Sequence, residues 1–230
     1  YIRFDDTDDV IKYSDGSSWK KISTVIPVLA SVTGNIFVSS ATTLTLAGTG
    51  FLSANLVINF TQSSDSIDTD VTVTPSSDTA ASVAVPAAVY NNVTASNVVT
   101  ITVTNSDQGS ASTTKTAVAL PSGGSITTSG SFRIHTFTSS GTFVNTIPDN
   151  SVEYLVIAGG ASGGNSENFG GTGSSGGGAG GYRSSVSGQS SGGGASAESA
   201  LTLSAASYSV TIGAGGASSS GHGAGNNGNN

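Results

Sequence analysis

The sequence predicts an all-β protein, and three observations support this class. Between residues 25 and 120, short runs of alternating Val, Thr, Ile and Leu are separated by turn residues at a spacing of roughly ten positions, which is typical of an antiparallel sandwich. Near the start, Asp15-Gly16 separates two strand-like runs, as in a tight hairpin. Near the end, apolar strand-like runs interrupt a glycine-rich tract, and helical periodicity is absent throughout.

These patterns divide the 230 residues into three modules. We expect a β-hairpin unit over residues 1–24, a β-sandwich over residues 25–120 and a glycine-rich β domain over residues 121–230. A chain of this length can form several small cores. Pro121-Ser-Gly-Gly has the composition of a linker and marks the start of the third module.

Composition excludes several classes of partner. Only 9% of the residues are charged and the net charge is −7, whereas binding to nucleic acid requires clustered Lys and Arg. No run approaches the roughly 18 apolar residues of a membrane span. Cysteine is absent, which excludes disulfides, Cys-ligated zinc and thiol catalysis. We therefore expect no nucleic-acid partner and no membrane partner.

The first module presents two aromatic side chains near its turn. Alternation around Asp15-Gly16 predicts a hairpin in which Tyr13 and Trp19 face each other across the strands. An isolated hairpin is marginal in water. We therefore predict that Tyr13 and Trp19 contact other copies of the chain in a homo-oligomer.

Three short pieces of this module follow a recurring order. Arg3-Phe4 comes first, the hydrophobic and aromatic residues 10–13 follow, and an aromatic residue ends the Gly-Ser-Ser run at residues 16–19. Together they resemble a short motif of bacteriophage tail and fibre proteins. The resemblance implies an attachment segment at the start of the chain.

The second module contains six predicted strands. They cover residues 36–38, 42–47, 56–60, 70–74, 81–85 and 98–105. In the last strand, alternation places Val99, Ile101 and Val103 on one face and Thr residues on the other. About a hundred residues is the size of one immunoglobulin-like domain.

The motifs of this module also have a family resemblance. TLTLAGTGF at residues 43–51, VINF at 57–60, ASVAVP at 81–86 and VTITVTNSDQGSAS at 99–112 stand in order. They resemble the immunoglobulin-like domain of plexins and transcription factors, which is widespread in bacterial surface and phage proteins. The resemblance implies a spacer or protein-binding module without catalytic residues.

Glycine dominates the third module. Residues 154–230 hold 23 of the 32 glycines of the chain. Because glycine loses much conformational entropy on ordering, such a tract is either disordered or held by close backbone packing. The apolar strands within it favour packing. Glycine runs can also pack as helices with three residues per turn, although the irregular interruptions here argue against a long bundle.

Four elements of this module stand in a recognisable order. TFTSSGTF at residues 136–143 leads to a hydrophobic strand ending in glycines at 152–160, then to a GGGAGGYRSS run at 176–185 and a strand ending in glycines at 208–216. The order resembles the glycine-rich domain of phage virion and bacterial surface proteins. That pattern normally continues further, so we expect the domain to be incomplete at residue 230.

Candidate binding residues lie in the glycine tract. Aromatic faces stack on sugars while polar neighbours bond hydroxyl groups. Phe169 and Tyr182, with Arg183 beside the tyrosine, are therefore the candidate contacts to a receptor or partner protein. Packing within the domain is the alternative for both aromatic residues, and it is the favoured interpretation of Tyr208.

Sequence motifs for cofactors and metals lack their required context. The GxGxxG pattern at residues 171–176 is followed by no helix-forming run, which a dinucleotide site needs. His135 and His222 have no partner at metal-ligand spacing. We therefore predict no cofactor, no metal and no catalytic residue. A site shared between three chains at His135 is the alternative.

Calcium is a second open alternative. Asp65, Asp68 and Asp70 could supply oxygen ligands, as could the acidic run at residues 5–9. Neither group has the spacing and central glycine of an EF-hand loop. Solvated turns are the simpler interpretation.

The predicted function is that of a non-enzymatic bacteriophage virion protein, a tail fibre or similar appendage that forms a homotrimer. It would contact other virion proteins and a host-surface polysaccharide or protein. The alternatives are a bacterial cell-surface adhesin, an extracellular filament subunit or a capsid decoration protein. A glycosidase would need two placed carboxylates, and the acidic residues of the third module, Asp149, Glu153, Glu167 and Glu198, show no such pairing.

Overall fold

The computed structural model describes residues 1–5, 10–21, 25–52, 55–164, 175–218 and 224–228. The chain divides into two compact units, Tyr1–Ala119 and Leu120–Asn230. Strands form nearly all of the regular structure in the described residues, which confirms the predicted all-β class. Within these residues, no helix has the length and apolar character that crossing a membrane requires.

The first unit begins with a small antiparallel sheet of three strands in sequence order. They are β1 (Ile2–Asp5), β2 (Val10–Ser14) and β3 (Trp19–Lys21). The Asp15 carboxylate organises the turn between β2 and β3, because its Oδ1 accepts hydrogen bonds from the backbone amides of Ser17 at 3.0 Å and Ser18 at 2.9 Å. Gly16 takes a φ of 97° in this turn, a conformation that glycine adopts without strain.

The pairing of β2 with β3 corrects one prediction. Trp19 lies opposite Ser14, and Tyr13 lies opposite Lys20. Because opposite residues share a face and successive residues alternate, Tyr13 and Trp19 lie on different faces of the sheet. The predicted contact between them was wrong, since the turn contains four residues rather than the two of Asp15-Gly16.

The rest of this unit is formed by two sheets and one helical turn. A three-stranded sheet has the order β4-β6-β9 and a five-stranded sheet has the order β5-β11-β10-β7-β8. The elements are β4 (Val28–Thr33), β5 (Ile36–Phe37), β6 (Thr43–Thr49), β7 (Leu56–Gln62), β8 (Ile67–Val73), β9 (Ala80–Ala84), α1 (Ala87–Tyr90), β10 (Val98–Thr104) and β11 (Ser110–Val118). The six predicted strands are present, and β4 and β11 were missed.

A single apolar core lies between the two sheets. Side chains from both sheets belong to one cluster, including Leu44 and Leu46 of β6 and Ile58 and Phe60 of β7. Val99, Ile101 and Val103 are each 0% exposed, as predicted from their alternation. The two sheets therefore form a sandwich held by burial of apolar surface.

A buried asparagine fixes the segment that enters the sandwich. The Asn105 Nδ2 donates hydrogen bonds to the carbonyl oxygens of Val25 and Gly50, both at 2.8 Å, and its Oδ1 accepts one from the Leu52 amide at 3.1 Å. The Asp107 carboxylate also accepts a hydrogen bond from the Val25 amide. Residue 25 is therefore tied to the loops at one end of the sandwich.

The second unit consists of four separate two-stranded antiparallel pairs, β12-β13, β14-β19, β15-β18 and β16-β17. The elements are β12 (Ser125–Ser129), β13 (Phe132–Thr136), β14 (Gly141–Asn145), β15 (Asn150–Val152), β16 (Leu155–Ile157), β17 (Tyr182–Ser184), a 3₁₀ turn (Gly192–Gly194), β18 (Leu201–Leu203) and β19 (Ala206–Val210). The last three pairs are nested in sequence, so residues 141–157 run antiparallel to residues 182–210 as an interrupted ribbon.

The interior of this second unit is polar. Apart from one proline, the buried residues described in it are Asn145, Ser184, Ser185 and Ser191, and all of the buried apolar core residues lie in the first unit. Asn145 Nδ2 donates to the carbonyl oxygens of Ile147, Leu203 and Ser204 at 2.7 to 3.1 Å. Hydrogen bonds of buried polar side chains therefore stabilise the centre of the ribbon, in contrast to domains that are stabilised by an apolar core.

Candidate functional site

The pairing of β16 with β17 continues in register into the glycine tract, but its period changes. Three backbone amides along residues 158–164 donate to carbonyl oxygens along residues 175–181. The pairs are Ala158 to Gly181 at 2.8 Å, Ala161 to Gly178 at 3.0 Å and Gly164 to Ser175 at 3.0 Å. A strand pairs with a period of two residues, whereas these bonds recur every third residue, as expected for extended helices with three residues per turn.

Two further segments pack against residues 158–164. The Gly216 amide donates to the Gly160 carbonyl at 2.8 Å, and the Ser162 amide donates to the Asn226 carbonyl at 2.9 Å. The Asn226 amide returns a hydrogen bond to the Ser162 hydroxyl at 2.9 Å. We call residues 158–164, 175–181, 213–218 and 224–228 the glycine bundle.

Close approach of backbones explains why this bundle requires glycine. A Cβ atom added at Gly177 or Gly180 would overlap the carbonyl oxygens of Ala161 and Ala158, and one added at Gly225 would overlap that of Ser162. None of these glycines has a positive φ. The bundle therefore uses the small size of glycine rather than its backbone freedom.

Apolar side chains are exposed where the ribbon meets the bundle. Leu155, Val156 and Ile157 of β16 are all exposed, Ile157 by 68%. The predicted contact residue Tyr182 lies opposite Ile157, and Arg183 lies opposite Val156. A groove of about 390 Å³ runs beside them, lined by Val156, Ile157, Arg183, Ile212 and backbone of the bundle.

Arg183 is bound by a carboxylate that the sequence did not single out. Its Nε donates to Glu198 Oε1, and the Tyr154 hydroxyl donates to Glu198 Oε2. The Tyr154 hydroxyl and then Arg183 hold the pKa of Glu198 below its usual range. The same carboxylate raises the pKa of Tyr154. Arg183 thus presents a charge that is already paired within the chain.

Buried serines position the loop that carries Glu198. The Ser184 amide donates to the Ser191 hydroxyl at 3.1 Å, and the Ser184 hydroxyl donates to Gln189 Oε1 at 3.0 Å. The Glu198 amide donates to the Ser184 carbonyl at 2.8 Å. Sequence reasoning missed these residues because serine is abundant throughout the chain and carries no pattern here.

The remaining predicted contacts belong to the first unit or lie outside the described residues. Phe169, residues 171–174 of the GxGxxG pattern, and His222 lie outside the described residues. Tyr13 and Trp19 are exposed on the N-terminal sheet. The guanidinium carbon of Arg3 lies 4.5 Å from the centre of the Trp19 ring, a geometry that favours a cation–π interaction.

The candidate metal ligands have other partners. His135 Nδ1 lies 2.8 Å from the Gly123 carbonyl oxygen and therefore carries the proton that it donates, while its ring meets the edge of Phe143 at 4.9 Å between centroids. Asn59 Nδ2 donates to both Asp68 and Asp70, at 2.8 and 2.7 Å. Among the residues that the structure describes, no group of three or more His, Cys, Asp or Glu side chains could hold a metal ion.

Asp65 acts as a structural acceptor. Its carboxylate accepts hydrogen bonds from the Thr94 amide at 2.8 Å, the Thr94 hydroxyl at 2.9 Å and Asn97 Nδ2 at 2.9 Å. The Thr94 amide contributes most to lowering the pKa of this carboxyl group, followed by Asn97. Asp65 therefore fastens the loop before β10.

Comparison with known proteins finds a similarity to a protein family in the glycine-rich region. No significant match to the chain was found among curated proteins or among solved structures. Residues 138–230, which include the nested ribbon and the glycine bundle, match the family model described as a glycine-rich domain.

Proposed function

We propose that this chain is a non-enzymatic structural component of a bacteriophage virion, a tail fibre or similar appendage, located outside the cell. The observation that carries the proposal is the glycine bundle, a module held together by its backbone within a region that matches the glycine-rich domain family. Such a module exposes loops and backbone rather than an enclosed reaction site. It is suited to presenting a surface.

The sandwich supports the role of a spacer. Its three-stranded and five-stranded sheets, with β5 parallel to β11, are compatible with the predicted immunoglobulin-like fold of the plexin and transcription-factor type. The core is filled by apolar side chains from both sheets. A sandwich with a filled apolar core is suited to act as a spacer module.

The partners follow from this arrangement. The N-terminal sheet would attach the chain to other virion proteins, and the glycine-rich unit would contact a polysaccharide or protein of the host surface. We propose a homotrimer, because both the N-terminal sheet and the ribbon leave aromatic or aliphatic side chains exposed. Such small sheets are marginal in water without a partner.

Immunogold electron microscopy tests the location. Antibody raised against residues 1–230 is applied to a culture that produces the protein, and we expect gold on the tails or fibres of released particles. Gold on capsids would favour a decoration protein, and gold on cell envelopes without particles would favour an adhesin or filament subunit. Gold confined to the interior of cells would contradict the proposal.

A binding experiment tests the receptor. Purified chain added to susceptible cells should reduce adsorption of the phage several-fold. Periodate, which cleaves sugar diols, should abolish binding if the receptor is a polysaccharide, whereas protease treatment should abolish it if the receptor is a protein. Unchanged adsorption at saturating chain would contradict a role in attachment.

A further inference from the structure

We propose that the exposed apolar surface at the end of the ribbon is an interface between copies of this chain. We call Leu155, Val156, Ile157, Tyr182 and Ile212 the ribbon surface. The ribbon surface is the one through which the proposed homotrimer would assemble. An interface there does not depend on where the protein is located. Antibody labelling tests the location, and the experiments below test only the interface.

The second unit has no apolar core among its described residues. In its described residues every buried side chain apart from one proline is polar, while its exposed residues include large aliphatic ones. Burial of apolar surface is the main favourable term in folding. A unit with this distribution gains little from that term as a single copy and gains more when copies pack together.

Strand β16 is apolar on both faces. Alternation places Leu155 and Ile157, with Tyr182, on one face and Val156 on the other. A strand exposed to water normally has one polar face. A strand with apolar residues in succession is typical of a position covered on both sides, whereas Leu155, Val156 and Ile157 are exposed by 52%, 51% and 68%.

Strand β16 also has an open edge. The pair β16-β17 forms its own two-stranded sheet. Ser191 and Glu198 cover the outer edge of β17 by bonding the amide and the carbonyl of Ser184, so the edge that lacks a hydrogen-bonded neighbour among the described residues is that of β16. An open apolar edge is a template for pairing with another strand. An identical copy offers the matching edge, and closure of a ring of copies prevents continued growth.

The small number of charged residues in the second unit favours a second copy of the chain over a strongly charged partner protein. Arg183, which lines the groove beside the ribbon surface, is already paired with Glu198. Residues 120–230 contain two Arg residues and four carboxylates among 111 positions. Identical copies therefore meet with little repulsion, and the groove of about 390 Å³ has room for aliphatic side chains from the neighbour.

This assignment changes the role of one predicted residue. Tyr182 becomes a contact between copies, so the receptor is recognised elsewhere on the glycine-rich unit. The second unit acquires its apolar core on assembly. Its stability should then depend on protein concentration, as in obligate oligomers.

Cysteine cross-linking of the full chain tests the interface, because the chain contains no native cysteine. Val156→Cys is compared with Val98→Cys, a matched control since Val98 lies in the sandwich and is exposed to the same extent, 51% for each. With a short bis-maleimide, we expect Val156→Cys to give at least ten times the yield of covalent dimers. Equal yields would overturn the proposal.

A second variant checks the same surface by mass. Ile157→Asp should convert the oligomer to a species of 22.4 kDa, whereas Val98→Asp should leave the mass unchanged. A wild-type chain that stays monomeric at all concentrations would overturn the interface. An oligomer unaffected by Ile157→Asp and without Val156→Cys cross-links would also overturn it, and assembly would then lie elsewhere.

Discussion

The Ala161 amide donates to the carbonyl oxygen of Gly178 at 3.0 Å, as the middle of three hydrogen bonds that each lie three residues apart. This spacing separates the glycine bundle from the β-ribbon that leads into it. It also explains the composition of the tract, because side chains at several inward positions would overlap neighbouring carbonyl oxygens. Order in this unit therefore comes from backbone contact.

Adjacent glycines in the bundle should respond to alanine in opposite ways. Gly177→Ala places a Cβ against the Ala161 carbonyl, and overpacking of this kind costs about 1–3 kcal/mol. Gly178→Ala meets open space at an ordinary φ. It should stabilise by about 0.4–1 kcal/mol, through lower entropy of the unfolded chain.

Hydrogen exchange at the Ala158 amide, which lies within the bundle, measures both effects. Protection should fall at least fivefold in Gly177→Ala and stay equal or rise in Gly178→Ala. Equal loss of protection in both variants would contradict the close approach of Gly177, and not of Gly178, to a neighbouring backbone.

Removal of the buried amide of Asn105 should destabilise the sandwich. Asn105→Ala leaves two carbonyl oxygens and one backbone amide without their partners. Each unsatisfied group costs about 1–3 kcal/mol, so we expect a loss of about 3 kcal/mol or more in denaturant unfolding. The exposed Asn91→Ala should change stability by less than about 0.5 kcal/mol. Similar losses in the two variants would contradict the role of Asn105.

The contribution of Asp65 should depend on pH. Its pKa is lowered in the folded chain by the Thr94 amide and Asn97, relative to an unfolded value of about 3.9. The carboxylate therefore stabilises the fold above that value, and the stabilisation disappears as pH falls through the folded pKa. We expect Asp65→Asn to be less stable than wild type at pH 7, and the two to converge below about pH 4. A difference that is constant with pH would exclude this mechanism.

Trp19 should report on the N-terminal sheet, because it is the only tryptophan in the chain. If this sheet joins copies, the fluorescence emission of Trp19 should shift to shorter wavelength as the protein assembles. Trp19→Ala should then lower the oligomer mass from about 67 kDa, three times 22.4 kDa. The sandwich should remain folded. Val98→Ala, at an exposed position of the sandwich, is the control. An unchanged oligomer mass in Trp19→Ala would indicate that copies assemble through the ribbon surface and not through the N-terminal sheet.

The apolar alternation predicted much of the sandwich. Val99, Ile101 and Val103 reveal β10 because burial selects every second residue. Strand β11 was missed because Ser, Thr and Lys occupy most of its positions and only Ala117 in it is buried, so pairing with β10 rather than burial defines it. The N-terminal register was predicted wrongly, since the turn length that sets it depends on hydrogen bonds of Asp15.

The candidate site was less predictable. Tyr182 and Arg183 were identified by residue type, but Glu198, which binds Arg183, lies 15 positions away with no pattern linking them. The three-residue period of the bundle was raised only as a possibility. Glycine carries no side chain, so its inward and outward positions leave no hydrophobic pattern to read.

The most direct test of the ordered glycine bundle is amide hydrogen exchange, resolved by residue, across residues 158–164. The amides of Ala158, Ala161, Ser162 and Gly164 donate to backbone carbonyl oxygens, whereas those of Gly159, Gly160 and Gly163 donate to none in the described chain. We expect slow exchange at the first four and fast exchange at the other three. Uniformly fast exchange would show a disordered tract, and protection at every second residue would show a β-strand; either result would contradict the bundle.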